Sequence, residues 1–291
     1  MTPNIHPFYR HSGKFNPLGP LLALVAGIAA GIPAGLLYSY LIKWIPFIYL
    51  NFFITLGYGF GFGFLTLMLL KVGKVRNGAV ALLCGAAVGI IAWYLAWNGH
   101  VHTLAKDVPL LLSPGAVWSV AKVLYAHGSW AIGFSSHDPL TGIPLGIVWV
   151  LEGIMIVGIS ALTSYASVGS TPYCEQHQCW LDQEKTMDKL DAFTHPAHLA
   201  AFQVGDIAPL EESRPRVPAS GKFARLTLKH SPRCDDICTL TIANVEVTTD
   251  KDGKPKETTE TLMSDLLVPK SMFEYLASFD HPTARVQSSG F

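Results

Sequence analysis

Along the first half of the chain apolar residues do not alternate with polar ones; they run on unbroken. Residues 17–42, PLGPLLALVAGIAAGIPAGLLYSYLI, contain no charge, and neither do 48–70 or 77–98. Residues 142–165 contain one, Glu152, near the middle. A helix needs about 20 mostly apolar residues to cross about 30 Å of hydrocarbon, so the pattern predicts four membrane-spanning helices. The first run is too long for a cleaved leader, whose apolar core spans about 7–15 residues. Ser113 and Pro114 read as an N-cap and first helical position. The following Trp118, Lys122, His127 and Trp130 suit a helix lying in the membrane interface, over about 114–130. Taken as a fifth span, that helix would put the two ends of the chain on opposite sides.

In the second half the period changes. Residues 223–229, FARLTLK, and 239–249, TLTIANVEVTT, alternate and are rich in β-branched side chains, which predicts two strands. The turn DKDGKP at 250–255 then leads to a third strand over 257–263. Residues 269–279 place Met272, Phe273, Leu276 and Phe279 on one helical face. A further helix is expected across 183–202, broken near Pro196. Residues 214–221, RPRVPASG, read as a linker, and the first fifteen and last ten residues are expected to be loosely held. The predicted architecture is a membrane α-helical bundle (residues 17–166, after a tail of 1–16) followed by a small soluble α+β domain (167–291).

Composition sharpens the division. Half the residues are hydrophobic and 14% are charged, against about 25% charged in a typical soluble protein. These values exclude a disordered chain, a collagen-like repeat and a small disulfide-stapled fold. The net charge of zero conceals 8 Lys/Arg against 3 Asp/Glu before residue 167, and 13 against 18 after it. So acidic a second half argues against nucleic acid as a partner. With the N-terminus inside, the inner segments hold Arg10, Lys14, Lys71, Lys74 and Arg76, and the outer ones Lys43, Lys106 and Lys122. The excess of basic residues in inner loops favours that orientation, with both termini cytoplasmic and the protein in a cell (inner) membrane.

Membrane helices associate by close backbone approach, which small residues permit. Gly27, Gly31 and Gly35 share one face of the first span, and Gly85 and Gly89 one face of the third. In the second span, glycines at 57/61 and 59/63 form two faces separated by aromatic residues. These predict helix packing within the bundle, self-association or contact with other membrane subunits. Glu152 is the one ionisable group at membrane depth. A charge there costs at least ~2.5 kcal/mol, so it is expected to face the bundle, a water-filled space or a partner. Its two roles are a proton- or cation-handling site and a hydrogen bond to a neighbouring helix. His100, His102, His127 and His137 collect in the outer loops as scattered interfacial residues.

Cys84 falls in the third span as a small packing residue. The other four cysteines form two groups: Cys174, His177 and Cys179 in YCEQHQCW, then Cys234 and Cys238 in SPRCDDICT. In a reducing compartment such close spacing reads as metal ligands more readily than as disulfides, and thiolate with imidazole is zinc chemistry. The two segments resemble the two halves of a zinc ribbon, over about fifteen residues. They depart from it in the spare Cys179 and in the three residues between Cys234 and Cys238. The expected ligands of a structural zinc are Cys174, His177, Cys234 and Cys238, with Cys179 as the alternative to His177. Reduced thiols or disulfides are the other states open to these residues. His195 and His198 offer further ligands but read as the start of a surface helix. No phosphate-cradling loop, nucleophile elbow or H-E-x-x-H motif is present. Three roles follow: a structural or accessory membrane subunit, a transporter or channel component using Glu152, and, weakest, an enzyme with a catalytic zinc and Glu175 or Asp235 as its acid or base.

Overall fold

A computed structural model of the 291-residue chain describes residues 8–45, 47–128, 139–213, 221–251 and 253–278. It divides into two compact units, one of residues 12–170 and one built from residues 8–11 together with the chain from 171 onward.

The first unit contains α1 (Leu18–Trp44), α2 (Ile48–Val72), α3 (Gly78–Leu104), α4 (Pro114–His127) and α5 (Gly142–Ser170). Four of these are long and apolar enough to cross a membrane. They form a ring in which α1 packs on α3, α3 on α5, α5 on α2, and α2 on α1. Large apolar side chains such as Val25, Phe53, Leu83 and Ile154 point outward, while Ala23, Gly27, Gly31, Ala92 and Ser160 are buried. Small residues inside and large apolar ones outside is the arrangement expected where lipid is the solvent. α4 starts at Pro114 with the Ser113 hydroxyl accepting from the Ala116 N–H. With 14 residues at 1.5 Å each it is too short to cross. His127 is its last residue; Trp130 and His137 lie outside the described residues.

The glycines act unequally. A Cβ at Gly27 would come within 3.0 Å of Val88, one at Gly35 within 2.7 Å of the Leu95 carbonyl oxygen, and one at Gly31 would collide with the Leu95 side chain. Gly85 and Gly89 meet the α5 backbone at Ser160 and Val157 in the same way. On α2 the 59/63 face packs against Ile156 and Ser160, whereas Gly57 and Gly61 have nothing within 4 Å. Gly57 and Gly61, expected to pack, therefore form an open face of the bundle, because α5 occupies only the opposite side of α2. Hydroxyls stitch the close crossings: Ser39 donates to the Ala96 carbonyl (2.9 Å), Tyr58 to that of Ala92 (3.0 Å) and Ser160 to that of Gly85 (2.8 Å).

The second unit contains β1 (Tyr173–Cys174), β2 (Cys179–Trp180), β3 (Gln183–Asp191), α6 (Pro196–Gln203), α7 (Ala208–Glu211), β4 (Lys222–His230), β5 (Ile237–Thr249), β6 (Pro255–Pro269) and α8 (Lys270–Ala277). Strands β3-β4-β5-β6 form an antiparallel meander, and β1-β2 a separate hairpin. The core lies on one face of the sheet, where Leu226, Leu228, Leu240 and Ile242 meet Phe202, Leu210 and Leu276 from the three helices. The helix expected across 183–202 is instead a strand followed by a short helix. Residues 183–191 pair along β4, burying Met187 and Leu190 and exposing the charged residues between. His195 caps α6, its side chain accepting from the Ala197 N–H, so the helix begins only at Pro196.

Of the first fifteen residues, expected to be loosely held, 1–7 lie outside the described residues, and Phe8 and Tyr9 are tied to the sheet. Phe8 bridges Leu266, and the Tyr9 N–H donates to the Asp265 carbonyl (2.8 Å) on β6, the edge strand. A bulge makes this possible: Ser264 and Asp265 together oppose Thr241, and Asp265 sits at φ 51° with its N–H on the Thr241 hydroxyl. Within the helical unit, the Lys14 carbonyl accepts from the Arg76 N–H (2.9 Å). The last ten residues and nearly all of the 214–221 linker lie outside the described residues.

Candidate functional site

Cys174 and Cys179 stand directly opposite each other in the β1-β2 hairpin. The four-residue turn between them carries His177 and is closed by Gln178 at φ 54°. The His177 backbone N–H points at the Cys174 sulfur (3.5 Å), and its Nδ1 lies 3.6 Å from the same atom. The sheet supplies the rest. After β4 the chain turns so that the Cys234 N–H donates to the Ser231 carbonyl (3.1 Å), which brings Cys234 back over the hairpin. One ligand atom from each of Cys174, His177 and Cys234 lies within 4.8 Å of the others. The cysteines are free thiols, and this group is able to hold a metal ion.

Burial pushes the Cys174 thiol up to about 11, with Cys234 adding to the rise against N–H donation from His177. Burial raises the Cys179 thiol too, opposed by a hydrogen bond from Ser231 and reinforced by Cys234. Cys179 lies outside the group of three but packs with Cys174 and Cys234 in one small buried cluster with Leu181 and Ile237, so three thiols and an imidazole stand close together. In such a cluster a cation would replace thiol protons as the stabilising charge.

Cys238 belongs elsewhere. It follows the strand period with Leu240 and Ile242 into the sheet core, where its thiol donates to the Val268 carbonyl (3.6 Å) and burial pushes it up to about 12. The expected ligand is thus a core residue, and Cys179 is the thiol found beside Cys234. Asp235 is tied to Lys270 rather than free for acid–base work, and that ion pair lowers its pKa. Asp236, which sequence reasoning passed over, lies 3.4 Å from His177 Nδ1, the same ring nitrogen that faces the Cys174 sulfur. Glu175 sits in the hairpin turn, its carbonyl accepting from Gln178.

In the helical unit Glu152 faces the bundle. The Tyr38 hydroxyl donates to its carboxylate, and Tyr38 is in turn 2.9 Å from the Thr55 hydroxyl, which also reaches the Asn51 carbonyl (2.9 Å). This chain links α5, α1 and α2 beside a cavity of about 370 Å³ whose lining includes Trp97 and His100 of α3. Trp149 lies one turn from Glu152 but stacks edge-on against Trp97, with ring centroids 4.9 Å apart.

No family model matches the chain, and neither a curated protein nor a solved structure matches it.

Proposed function

We propose that the chain is a four-span inner-membrane protein that carries a cytoplasmic sheet module braced by a structural zinc ion, and that it serves as an accessory subunit of a membrane complex. The observation that carries this reading is the convergence of Cys174, His177 and Cys234, with Cys179 against them, from two segments far apart in sequence. Thiolate and imidazole ligands are those zinc prefers at structural sites. The ion would lock the β1-β2 hairpin onto the turn before β5, bracing a short two-stranded element that has little core of its own.

Sidedness is supported by connectivity. Residues 8–11 and the sheet belong to one folded unit, which supports an even number of crossings between them, with both ends of the chain on one side of the membrane. The basic residues Lys71, Lys74 and Arg76 between the second and third helices favour the cytoplasm for that side. A reducing compartment also keeps the thiols available for metal.

Full-length protein purified in mild detergent and analysed for metal is expected to hold close to one zinc per chain, and Cys174→Ala or Cys234→Ala to lose it. Less than about half an equivalent in the parent protein would remove the zinc reading. The subunit reading expects a stoichiometric partner or a defined oligomer in the same preparation; a monodisperse monomer would sink it. A second reading, a transporter or channel component, is favoured by the Tyr38–Glu152 bond and the cavity beside it.

A further inference from the structure

We infer that the cavity among the four long helices is a binding site for an organic cation, held with its positive charge against Glu152. The inference rests on the second reading above for the use of Glu152. It is tested by equilibrium binding rather than flux, so binding without transport would leave it standing and remove the transporter reading.

Three features of the cavity select the ligand. The first is charge. Glu152 is the one acidic residue among the four long helices, and only one of its oxygens is engaged by Tyr38. Lys43, the nearest lysine on α1, is turned onto the Thr103 carbonyl. The second is the polarity of the remaining hydrogen-bonding atoms. Asn51 lines the same space, and its side-chain oxygen, sealed beneath the cavity surface, has no partner among the described residues, so a small shift of that side chain would present an acceptor to a ligand. A ligand N–H or a polarised C–H beside an ammonium would pair with it there. The third is the wall: Trp97 and Trp149 stand edge to face, and the indole surface is the best aromatic partner for a cation.

Size decides between a bare ion and a molecule. About 370 Å³ is far more than a water or a metal ion fills, and lies within the ~300–1,000 Å³ range of small-molecule sites. The rest of the lining is mostly apolar, through Ile42, Phe52 and Met155, with Ser39 and His100 as further polar residues. A hydrated inorganic cation would be stripped of water without replacement ligands. A compact ammonium with an apolar body satisfies carboxylate, acceptor and walls together.

The test uses full-length protein in an uncharged maltoside detergent, with benzyltrimethylammonium as the probe and neopentylbenzene as its uncharged isostere. Equilibrium dialysis is expected to show one saturable site per chain. The cation should bind roughly tenfold or more tighter than the isostere, the scale of one charge-assisted contact. Glu152→Gln should erase that preference, and Asn51→Leu should weaken it severalfold, in variants that keep the parent's elution volume. Equal affinity for the two probes, or no saturable cation binding up to roughly 10 mM, would overturn the inference. That comparison is made on the unaltered protein, so it decides the matter even where a variant fails to fold.

Discussion

The side chain of Asn244 closes both main-chain hydrogen-bonding groups of Phe193: its Oδ1 accepts from the Phe193 N–H at 2.9 Å and its Nδ2 donates to the Phe193 carbonyl at 2.8 Å. Phe193 leaves β3 and turns into the core against Phe202. Asn244 supplies there the pairing that a neighbouring strand would have given. Asn244→Ala strands both groups and should cost the sheet module about 2–4 kcal/mol. Asn244→Asp, which keeps the acceptor and loses the donor, should cost less. Chemical denaturation of the full chain, followed by a probe on β5, checks the order.

The two cysteines that sequence could not rank should separate cleanly. Cys238→Ala is expected to retain bound metal while losing about 1 kcal/mol of stability from the core. Cys179→Ala should weaken metal binding by roughly 10–100-fold, as loss of a supporting or direct ligand does. Competition with a chelator of known affinity reads both. Retention by Cys179→Ala together with loss by Cys238→Ala would reverse the assignment.

His230 gives the sheet module a pH response. Burial lowers its pKa, and its ring packs on Phe273 with centroids 4.3 Å apart. A base whose pKa falls on folding binds protons more readily when unfolded, so its contribution is complete above the ordinary histidine range of about 6.5 and is lost as pH falls below it. Melting temperature should therefore decline from pH 7 toward pH 5. His230→Phe, which keeps the stacking, should flatten that decline; an unchanged slope would assign it to other groups.

Within the helical unit, Gly35 and Gly99 set the α1–α3 distance: a Cβ at Gly99 would lie 2.6 Å from the Gly35 carbonyl oxygen. Gly35→Ala or Gly99→Ala should destabilise the detergent-solubilised protein by about 1–3 kcal/mol through forced separation of the backbones. Gly57→Ala and Gly61→Ala meet nothing within 4 Å and should be neutral or stabilising by up to about 1 kcal/mol. Thermal unfolding monitored by size exclusion distinguishes the pairs. Leucine at 57 and 61 then probes the subunit reading. It should leave the monomer's stability alone and reduce partner retention if that face is where another helix seats.

The four long apolar helices were legible because lipid imposes a length and a composition that few other structures share. β4 and β5 were legible for the corresponding reason, that a half-buried strand must alternate. β3 was not. Its QEKTMDKLD has the charges and the Gln, Glu and Lys of a surface helix, and only Met187 and Leu190 face inward. Pairing with β4 overrides that local preference, and a bulge between those two residues breaks the alternation by which a strand is recognised. The cysteine–histidine cluster was half legible. Cys174, His177 and Cys234 were identified, but spacing within the motif was weighed above strand periodicity. The run C-T-L-T-I already placed Cys238 in phase with Leu240 and Ile242, on the core face. Nothing in the sequence announced the Tyr38–Glu152 bond, because its partners lie on helices 114 positions apart.

The strap that Phe8 and Tyr9 lay along β6 sets an order of events during synthesis. Tyr9 leaves the ribosome before any spanning helix, and Asp265 leaves after all of them. The strap must therefore wait, unengaged, while the bilayer receives everything in between. Until it docks, β6 offers a short bare row of amides and carbonyls around Asp265 and Leu266 to any passing chain. A soluble excised piece starting near Thr171 would keep that row bare for good, and should be expected to precipitate or to pair with itself unless residues 8–11 are grafted back.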